Sequence, residues 1–142
     1  MSSGVGVDDV AVTTFNGFKL QTDGYKFRYL TYKIQGDTII LDKTGAREEG
    51  YDEFAKALSA EPNDCRYGVV DLDFTTKDGR PTSKLVFVSW SPDSSTIKNK
   101  MLYSSSKEAL KRVLVGVGIF LNATDASELE YAAIHDGVSK FL

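Results

Sequence analysis

The sequence is poor in the residues that build disulfide-stabilised and metal-binding proteins. It contains one cysteine, Cys65, and one histidine, His135, among 142 residues. A single cysteine cannot form an internal disulfide, and zinc sites need several cysteine and histidine ligands. We therefore expect no metal and no cofactor, a small buried apolar role for Cys65, and a reducing compartment such as the cytoplasm.

Long hydrophobic runs and linkers are also missing. No apolar stretch approaches the roughly 18 residues that a membrane span needs, so we do not expect an integral membrane protein. The amino-terminal residues 1–5 lack the basic start and apolar stretch of a signal peptide. Hydrophobic residues make up 42% of the chain and the net charge is only −3, which excludes disorder as the main state. With no repeat or low-complexity tract, residues 1–142 are predicted to form a single domain.

Catalytic motifs are weak. The glycine pairs at 4–6 and 116–118 lack the further glycines of a dinucleotide or phosphate loop, and no Gly-Lys-Ser/Thr motif is present. His135 is the only candidate base for a serine or cysteine nucleophile, and a surface position is the simpler interpretation. Asp71 and Asp73 share one strand face, where salt bridging is more common than paired acid chemistry. We therefore predict no catalytic residues and no enzyme activity.

Charge is distributed unevenly along the chain. Residues 77–112 hold eight basic and three acidic residues, a net charge of +5, whereas the rest holds nine basic and 17 acidic residues, a net charge of −8. The eight basic residues are Lys77, Arg80, Lys84, Lys98, Lys100, Lys107, Lys111 and Arg112. A basic patch on an acidic body indicates an anionic partner such as an acidic protein face, nucleic acid or an anionic lipid headgroup, although solvated surface lysines would look the same.

The hydrophobic pattern alternates between helices and strands. It predicts helices over 8–19, 51–58, 95–116 and 127–141, and strands over 25–31, 38–41, 66–74, 84–90 and 119–121. The turn at 36–37 predicts a hairpin of the first two strands. Helices interleaved with a mixed sheet predict an α/β sandwich, with the sheet between two helical layers.

The segment 95–116 is the most informative. Its apolar positions change phase across the serines at 104–106, which predicts a long helix that kinks there. Lys100, Lys107 and Lys111 fall on one stripe, roughly opposite the apolar face. The basic charge is therefore predicted to lie along a single edge of this helix.

Four stretches of sequence carry a family signature. They are Met-Ser-Ser-Gly-Val at 1–5, Asn-Asp-Cys-Arg-Tyr at 63–67, Trp-Ser-Pro-Asp at 90–93, and the 15 residues at 98–112. In this order and spacing they resemble the actin-depolymerising factor/cofilin family over essentially the whole chain. The resemblance implies the ADF-homology fold, a central mixed β-sheet sandwiched between α-helices, with a long kinked actin-binding helix over 98–112.

The resemblance implies binding of actin monomers, with the ADP form preferred, and of filaments, whose disassembly the protein would promote. Carried over residue by residue, the implied monomer-binding residues, here called the monomer surface, are Ser3, Gly4, Val5, Lys98, Lys100, Met101, Lys107, Lys111 and Arg112. The lysine stripe lies within this set. Met101 would enter an apolar cleft of actin, although its spacing also permits a place in the core.

The resemblance also implies a second, filament-specific set, here called the filament surface. It consists of Arg80, Lys84, Asp136 and Lys140. Gly137 stands where a basic residue is common in the family, so we expect severing to be weak; the alternative is a protein that mainly binds and recycles monomers.

Further properties implied by the family are regulatory. Ser3 matches a phosphorylation site of animal relatives, although an unmodified Ser3 is equally compatible with the sequence. The basic face permits binding of phosphoinositides.

We expect a monomeric protein of the cytoplasm and the actin cytoskeleton.

Nucleic-acid binding is the competing interpretation from another class. It would use the basic stripe for phosphates and Tyr25, Tyr29 and Tyr32 as stacking platforms. These tyrosines alternate as core strand residues do, and the acidic remainder of the chain would repel phosphate. We therefore expect no nucleic-acid partner.

Overall fold

Residues 4–141 are described by a computed structural model, and within them the chain forms six strands and five helices. In chain order these are β1 (Gly6–Val7), α1 (Asp9–Leu20), β2 (Phe27–Gln35), β3 (Thr38–Ala46), α2 (Tyr51–Leu58), β4 (Arg66–Thr75), β5 (Pro81–Trp90), α3 (Ile97–Val113), β6 (Ile119–Ala123), α4 (Ala126–Leu129) and α5 (Tyr131–Ser139). Every predicted strand is present.

The strands form one mixed sheet in the order β1-β3-β2-β4-β5-β6. The four central strands are antiparallel, and the two edge strands, β1 and β6, pair parallel to their neighbours. The predicted hairpin of β2 and β3 is confirmed, and Gly36 takes the positive φ of 64° that its two-residue turn requires. Strand β1 was not predicted, because two residues are too few to show an alternating pattern.

The sheet lies between two apolar layers, which confirms the predicted sandwich. Alternate residues of β4 point to opposite layers: Tyr67 and Val69 pack with α1 and α3, whereas Val70 and Leu72 pack with α2, α4 and α5. This alternation follows from the two-residue period of a strand. The central strand therefore has both faces buried, and α3 is held on the α1 side of the sheet.

Helix α3 is uninterrupted over 17 residues, including the three serines at 104–106. Ser105 Oγ donates to the carbonyl of Leu102 at 3.2 Å, and Ser106 is buried. Ile97 and Met101 are 75% and 66% exposed. The apolar pattern therefore changes phase because these two residues lie outside the core.

The predicted final helix over 127–141 is wrong as one element. Glu130 has an extended conformation, with ψ at 148°, and divides the segment into α4 and α5. Asp125 caps α4 by accepting from the Glu128 N–H at 2.9 Å, and the Tyr51 hydroxyl donates to the Leu129 carbonyl. The cap fixes the start of α4, and the bond from Tyr51 ties its last residue to α2.

Two buried tyrosines give a matched test of hydrogen bonding in the core. Among the described residues, the Tyr32 hydroxyl has no hydrogen-bond partner, whereas the Tyr67 hydroxyl donates to the Tyr103 carbonyl. Removing an unsatisfied buried hydroxyl costs nothing, while removing a satisfied one loses a buried hydrogen bond. We expect Tyr32→Phe to keep or raise the free energy of unfolding, and Tyr67→Phe to lower it by about 1 kcal/mol. Urea unfolding of both variants is the measurement, and equal losses would contradict this account.

Candidate protein-binding surface

The first turn of α3 is fixed by polar side chains on both sides. Thr96 caps the helix by accepting from the Asn99 N–H at 3.1 Å. The Asn99 amide donates to Asp64 Oδ1 at 2.8 Å and to Ser95 Oγ at 3.0 Å. Thr96 is a favoured capping residue type, so the start of this helix is encoded locally.

Asp64 belongs to an ion-pair group around the buried side chain of Arg66. Arg66 contacts Asp64 at 2.6 Å and Asp42 at 3.3 Å, and its side chain is only 8% exposed. Burial raises the pKa of the Asp64 carboxyl, but the hydrogen bonds from Arg66 and Asn99 outweigh burial and hold the pKa below its usual value. Asp64 therefore stays ionised near neutral pH and connects β4 to α3.

The lowered pKa of Asp64 predicts a loss of stability in acid. A carboxyl whose pKa is depressed in the folded state contributes stability above its unfolded pKa, about 3.9, and this contribution is lost as the pH falls through the folded value. We expect the free energy of unfolding to fall below about pH 4 in the wild type and to fall less in Asp64→Asn. Urea unfolding across this range is the measurement. Parallel pH curves for the two proteins would contradict the prediction.

Exposed apolar side chains lie next to this anchored turn. Ile97 and Met101 are spaced by one helical turn, and both are exposed, which rejects the core interpretation of Met101. Met101 also lines an open groove beside α3, together with Asn63, Ser95, Thr96, Lys98, Asn99, Leu102 and Ser105. Exposed apolar side chains with a polar rim are typical of a protein-binding site.

The basic residues of α3 divide into two kinds. Lys98 and Arg112 are exposed, whereas the three lysines of the stripe are half-buried. Each stripe lysine contacts a residue outside α3. Lys100 Nζ lies 3.3 Å from the carbonyl of Asp93, which precedes the helix. The other two contact β6: Lys107 Nζ lies 3.2 Å from Asn122 Oδ1, and Lys111 Nζ lies 4.5 Å from the centre of the Phe120 ring. The stripe therefore lies along the junction of α3 and the sheet edge, with its stems packed and its charges fixed in place.

The amino-terminal members of the monomer surface behave differently from one another. Ser3 lies outside the described residues. Gly4 is exposed with a positive φ of 81°, whereas Val5 is buried among α1 and α3 residues. Strand β1 follows directly and contacts α3. Val5 thus anchors the amino-terminal segment beside α3, a role that its sequence context did not reveal.

The four residues of the filament surface are exposed and occupy two neighbouring places. Arg80 and Lys84 lie on the hairpin of β4 and β5, and Asp136 and Lys140 lie on or just after α5. A tilted contact between the rings of His135 and Phe74, with centroids 5.5 Å apart, joins α5 to this hairpin. His135 is therefore half-buried, and the predicted surface position is only partly right.

Gly137 faces the sheet edge. A Cβ at this position would lie 3.2 Å from Leu121 Cδ2, which is a tight contact. Replacing Gly137 with a basic residue, as is common in the family, would therefore require a small shift of Leu121.

Two further sequence-based interpretations are confirmed. Asp71 and Asp73 form ion pairs with Arg47 and Arg28, at 2.9 and 3.6 Å. Cys65 is fully buried. The two aspartates are therefore engaged in ion pairs, and the Cys65 thiol is shielded from solvent.

Two kinds of arrangement are absent from the part of the chain that the structure describes. Residues 4–141 hold no group of three or more histidine, cysteine or acidic residues that could bind a metal ion. No helix in this range has the length and apolar character needed to cross a membrane.

Comparison with known proteins gives consistent matches over nearly the whole chain. The family model described as cofilin/tropomyosin-type actin-binding protein matches residues 4–139. The chain is 41% identical to actin-depolymerizing factor 12 of Arabidopsis thaliana over 128 residues, 90% of each chain. It is 40% identical to a cofilin of Ogataea parapolymorpha over 141 residues, covering 97% of this chain and 94% of that one. The crystal structure of Streptomyces griseoflavus cofilin superposes with a TM-score of 0.83 at 34% identity, covering 96% of this chain and 98% of that one.

Proposed function

The chain belongs to the family of cofilin/tropomyosin-type actin-binding proteins, and from this premise we propose that it binds actin and promotes filament disassembly. The fold agrees with that of a cofilin crystal structure over 96% of the chain. The action is stoichiometric binding of actin monomers and filaments, with no catalytic step. It takes place in the cytoplasm, at the actin cytoskeleton.

The observation that carries the proposal is the exposure of Met101 on a groove that it shares with the exposed charge of Lys98. Met101 is 66% exposed, although other residues of the same helix are buried in the core. An exposed, flexible apolar side chain near exposed charge is typical of an interface hot spot, where the apolar group enters a cleft and the charge guides approach. Lys98 and Arg112 supply exposed charge near either end of α3.

Titration of actin monomers tests the monomer part of the proposal. Fluorescently labelled ADP-actin and ATP-actin are titrated separately with the protein, and we expect saturable one-to-one binding that is tighter for the ADP form. Binding should weaken as salt increases, because the basic residues of α3 act at an exposed surface. No saturable binding to either form would reject the monomer interaction.

Binding along filaments is proposed to use the filament surface, and Gly137 is proposed to limit it. Position 137 lies next to Asp136 on α5, yet carries no side chain for an acidic partner. A protein that mainly binds and recycles monomers, with little severing, is the second candidate, and Gly137 is the observation that favours it.

Gly137→Arg is expected to strengthen filament binding, with Gly137→Ala as the matched control. The arginine adds one exposed charge, which contributes about 0.2–1 kcal/mol, or up to about fivefold in affinity. Both variants gain helix propensity and make the same contact between Cβ and Leu121, so their difference isolates the charge. Filament co-sedimentation measures the affinities. Equal affinities for the two variants would contradict the role assigned to position 137.

Two properties of the proposed function concern regulation and partners. The basic residues of α3 would also attract phosphoinositide headgroups, so that membrane binding and actin binding compete for one surface. A phosphate on Ser3 would add about −1.5 to −2 charges at the edge of the monomer surface and weaken binding to an acidic partner. The protein is proposed to act as a monomer.

A further inference from the structure

The first turn of α3 carries two members of the monomer surface, Lys98 and Met101, but it has little packing of its own. The first fully buried residue of this helix is Tyr103. From there the helix is well fixed, because the Tyr103 hydroxyl accepts from the Ile34 N–H at 2.9 Å and the Tyr103 carbonyl accepts from Tyr67. The turn that precedes Tyr103 packs on the core through Leu102, and the Thr96 cap and the bond from Asn99 to Ser95 hold it from its own end of the helix.

Asp64 provides a direct link between this turn and the sheet. Its Oδ1 accepts from the Asn99 amide at 2.8 Å and from the Cys65 N–H at 2.9 Å. Its Oδ2 accepts from Arg66 at 2.6 Å. Both carboxylate oxygens are engaged, so the side chain has one defined orientation and offers Asn99 a fixed acceptor.

Arg66 keeps Asp64 in this orientation. The guanidinium is buried against Asp64 on one side and Asp42 on the other. Rotation of Asp64 toward solvent would break the shorter of these two ion pairs and leave the buried charge with Asp42 alone, which is unfavourable. Asp42 belongs to β3 and pairs with Arg66 without a contact to α3. A substitution of Asp42 therefore weakens the ion pairing of Arg66 but leaves the link from Asp64 to Asn99 in place.

We propose that Asp64 is a positioning residue for actin-monomer binding: through Asn99 it fixes the first turn of α3 and so the direction in which Lys98 and Met101 are presented. The inference rests on the proposed function, because it concerns the same surface. Asp64 lies in the loop two residues before β4, and neither it nor its partner Arg66 belongs to the binding residues implied by the family resemblance. Affinity is set here by preorganisation rather than by a contact of Asp64 with the partner.

The test is a double-variant cycle on actin-monomer affinity with Asp64→Ala, Asn99→Ala and the double variant. Residues that act through one shared link are non-additive. We expect each single variant to lower the affinity for actin monomers by about tenfold. The affinity of the double variant should equal that of the single variant that binds less tightly. Asp42→Asn is the control. It removes the ion pair between Asp42 and Arg66 and so lowers thermal stability, but we expect it to keep the wild-type affinity.

Amide hydrogen exchange gives a readout that loss of overall stability would not reproduce. We expect the amides of residues 97–102 to exchange faster in Asp64→Ala and Asn99→Ala, with no selective change in Asp42→Asn. If Asp64→Ala does not fold, Asn99→Ala carries the test, since it leaves the ion pairs of Arg66 intact.

Three outcomes would overturn the inference. They are additive losses in the double variant, which would mean that Asp64 contacts actin directly; affinities of the Asp64 and Asn99 variants equal to that of the wild type; and equal losses in the Asp42 control. Failure of the wild type to bind actin monomers would instead reject the proposed function. In that case selective exchange at 97–102 would still measure whether Asp64 holds the helix.

Discussion

Met101→Glu is expected to abolish most actin-monomer binding, with a loss of affinity of about 30-fold or more. The substitution places a carboxylate where an exposed apolar side chain is proposed to enter a cleft, so binding would have to desolvate a charge without pairing it. Methionine and glutamate have similar helix propensities, and Met101 is 66% exposed. The fold and its thermal stability should therefore be unchanged.

Leu20→Glu is the matched control for this prediction. Leu20 is 70% exposed and ends α1. Its neighbour Lys19 bonds to the Val115 carbonyl at 3.0 Å, which places Leu20 near the carboxyl end of α3, about 18 Å along the helix from Met101. We expect this variant to weaken binding by no more than about fivefold, because one exposed charge near Arg112 contributes at most about 1 kcal/mol. Equal losses for both variants would mean that added negative charge, and not the Met101 contact, controls binding.

Phe54→Ala is expected to cause the largest loss of stability, about 3–5 kcal/mol. Phe54 is fully buried under the sheet and meets the ring of Tyr29 edge-on at 5.5 Å. It also covers Gly68 of the central strand: a Cβ there would lie only 2.6 Å from the Phe54 ring, so α2 and β4 approach as closely as the glycine allows. Removing the ring leaves a cavity between two rigid elements that cannot close.

Chemical denaturation measures this loss, and Phe141→Ala supplies the reference. Phe141 is 56% exposed at the end of the chain, so its truncation should change the free energy of unfolding by less than about 0.5 kcal/mol. A loss below about 1.5 kcal/mol for Phe54→Ala would show that the α2 layer relaxes around the cavity, against the packing described here.

The sequence predicts the layers and the main surface of this protein because both depend on short-range patterns. The alternation of 66–74, the β-forming residues of 84–90 and the turn at 36–37 are visible in the sequence, and all three elements are present, with the second strand beginning earlier, at Pro81. The basic character of α3 is likewise a matter of spacing along one helix. Such features need no knowledge of which residues meet across the fold.

The features that the sequence did not reveal depend on contacts between distant segments. The break at Glu130 has no glycine or proline to mark it, and it coincides with a bond between Tyr51 and the Leu129 carbonyl, which are far apart in sequence. Lys107 resembles a solvated lysine until β6 places Asn122 beside it.

The largest omission is the buried position of Arg66. A single arginine in a strand usually lies outside, and only the fold brings Asp42 and Asp64 to either side of it. The one available signal was the adjacent Asp-Cys-Arg sequence, in which a carboxylate and a guanidinium are two residues apart.

Co-sedimentation with filamentous actin tests the central claim most directly, provided that both proteins are quantified in pellet and supernatant. The account predicts that the protein pellets with filaments and that its addition transfers actin to the supernatant. Transfer of actin without pelleting of the protein would support the monomer-binding alternative and assign little role to the filament surface. If the protein stays in the supernatant and the distribution of actin does not change, the proposed function is wrong.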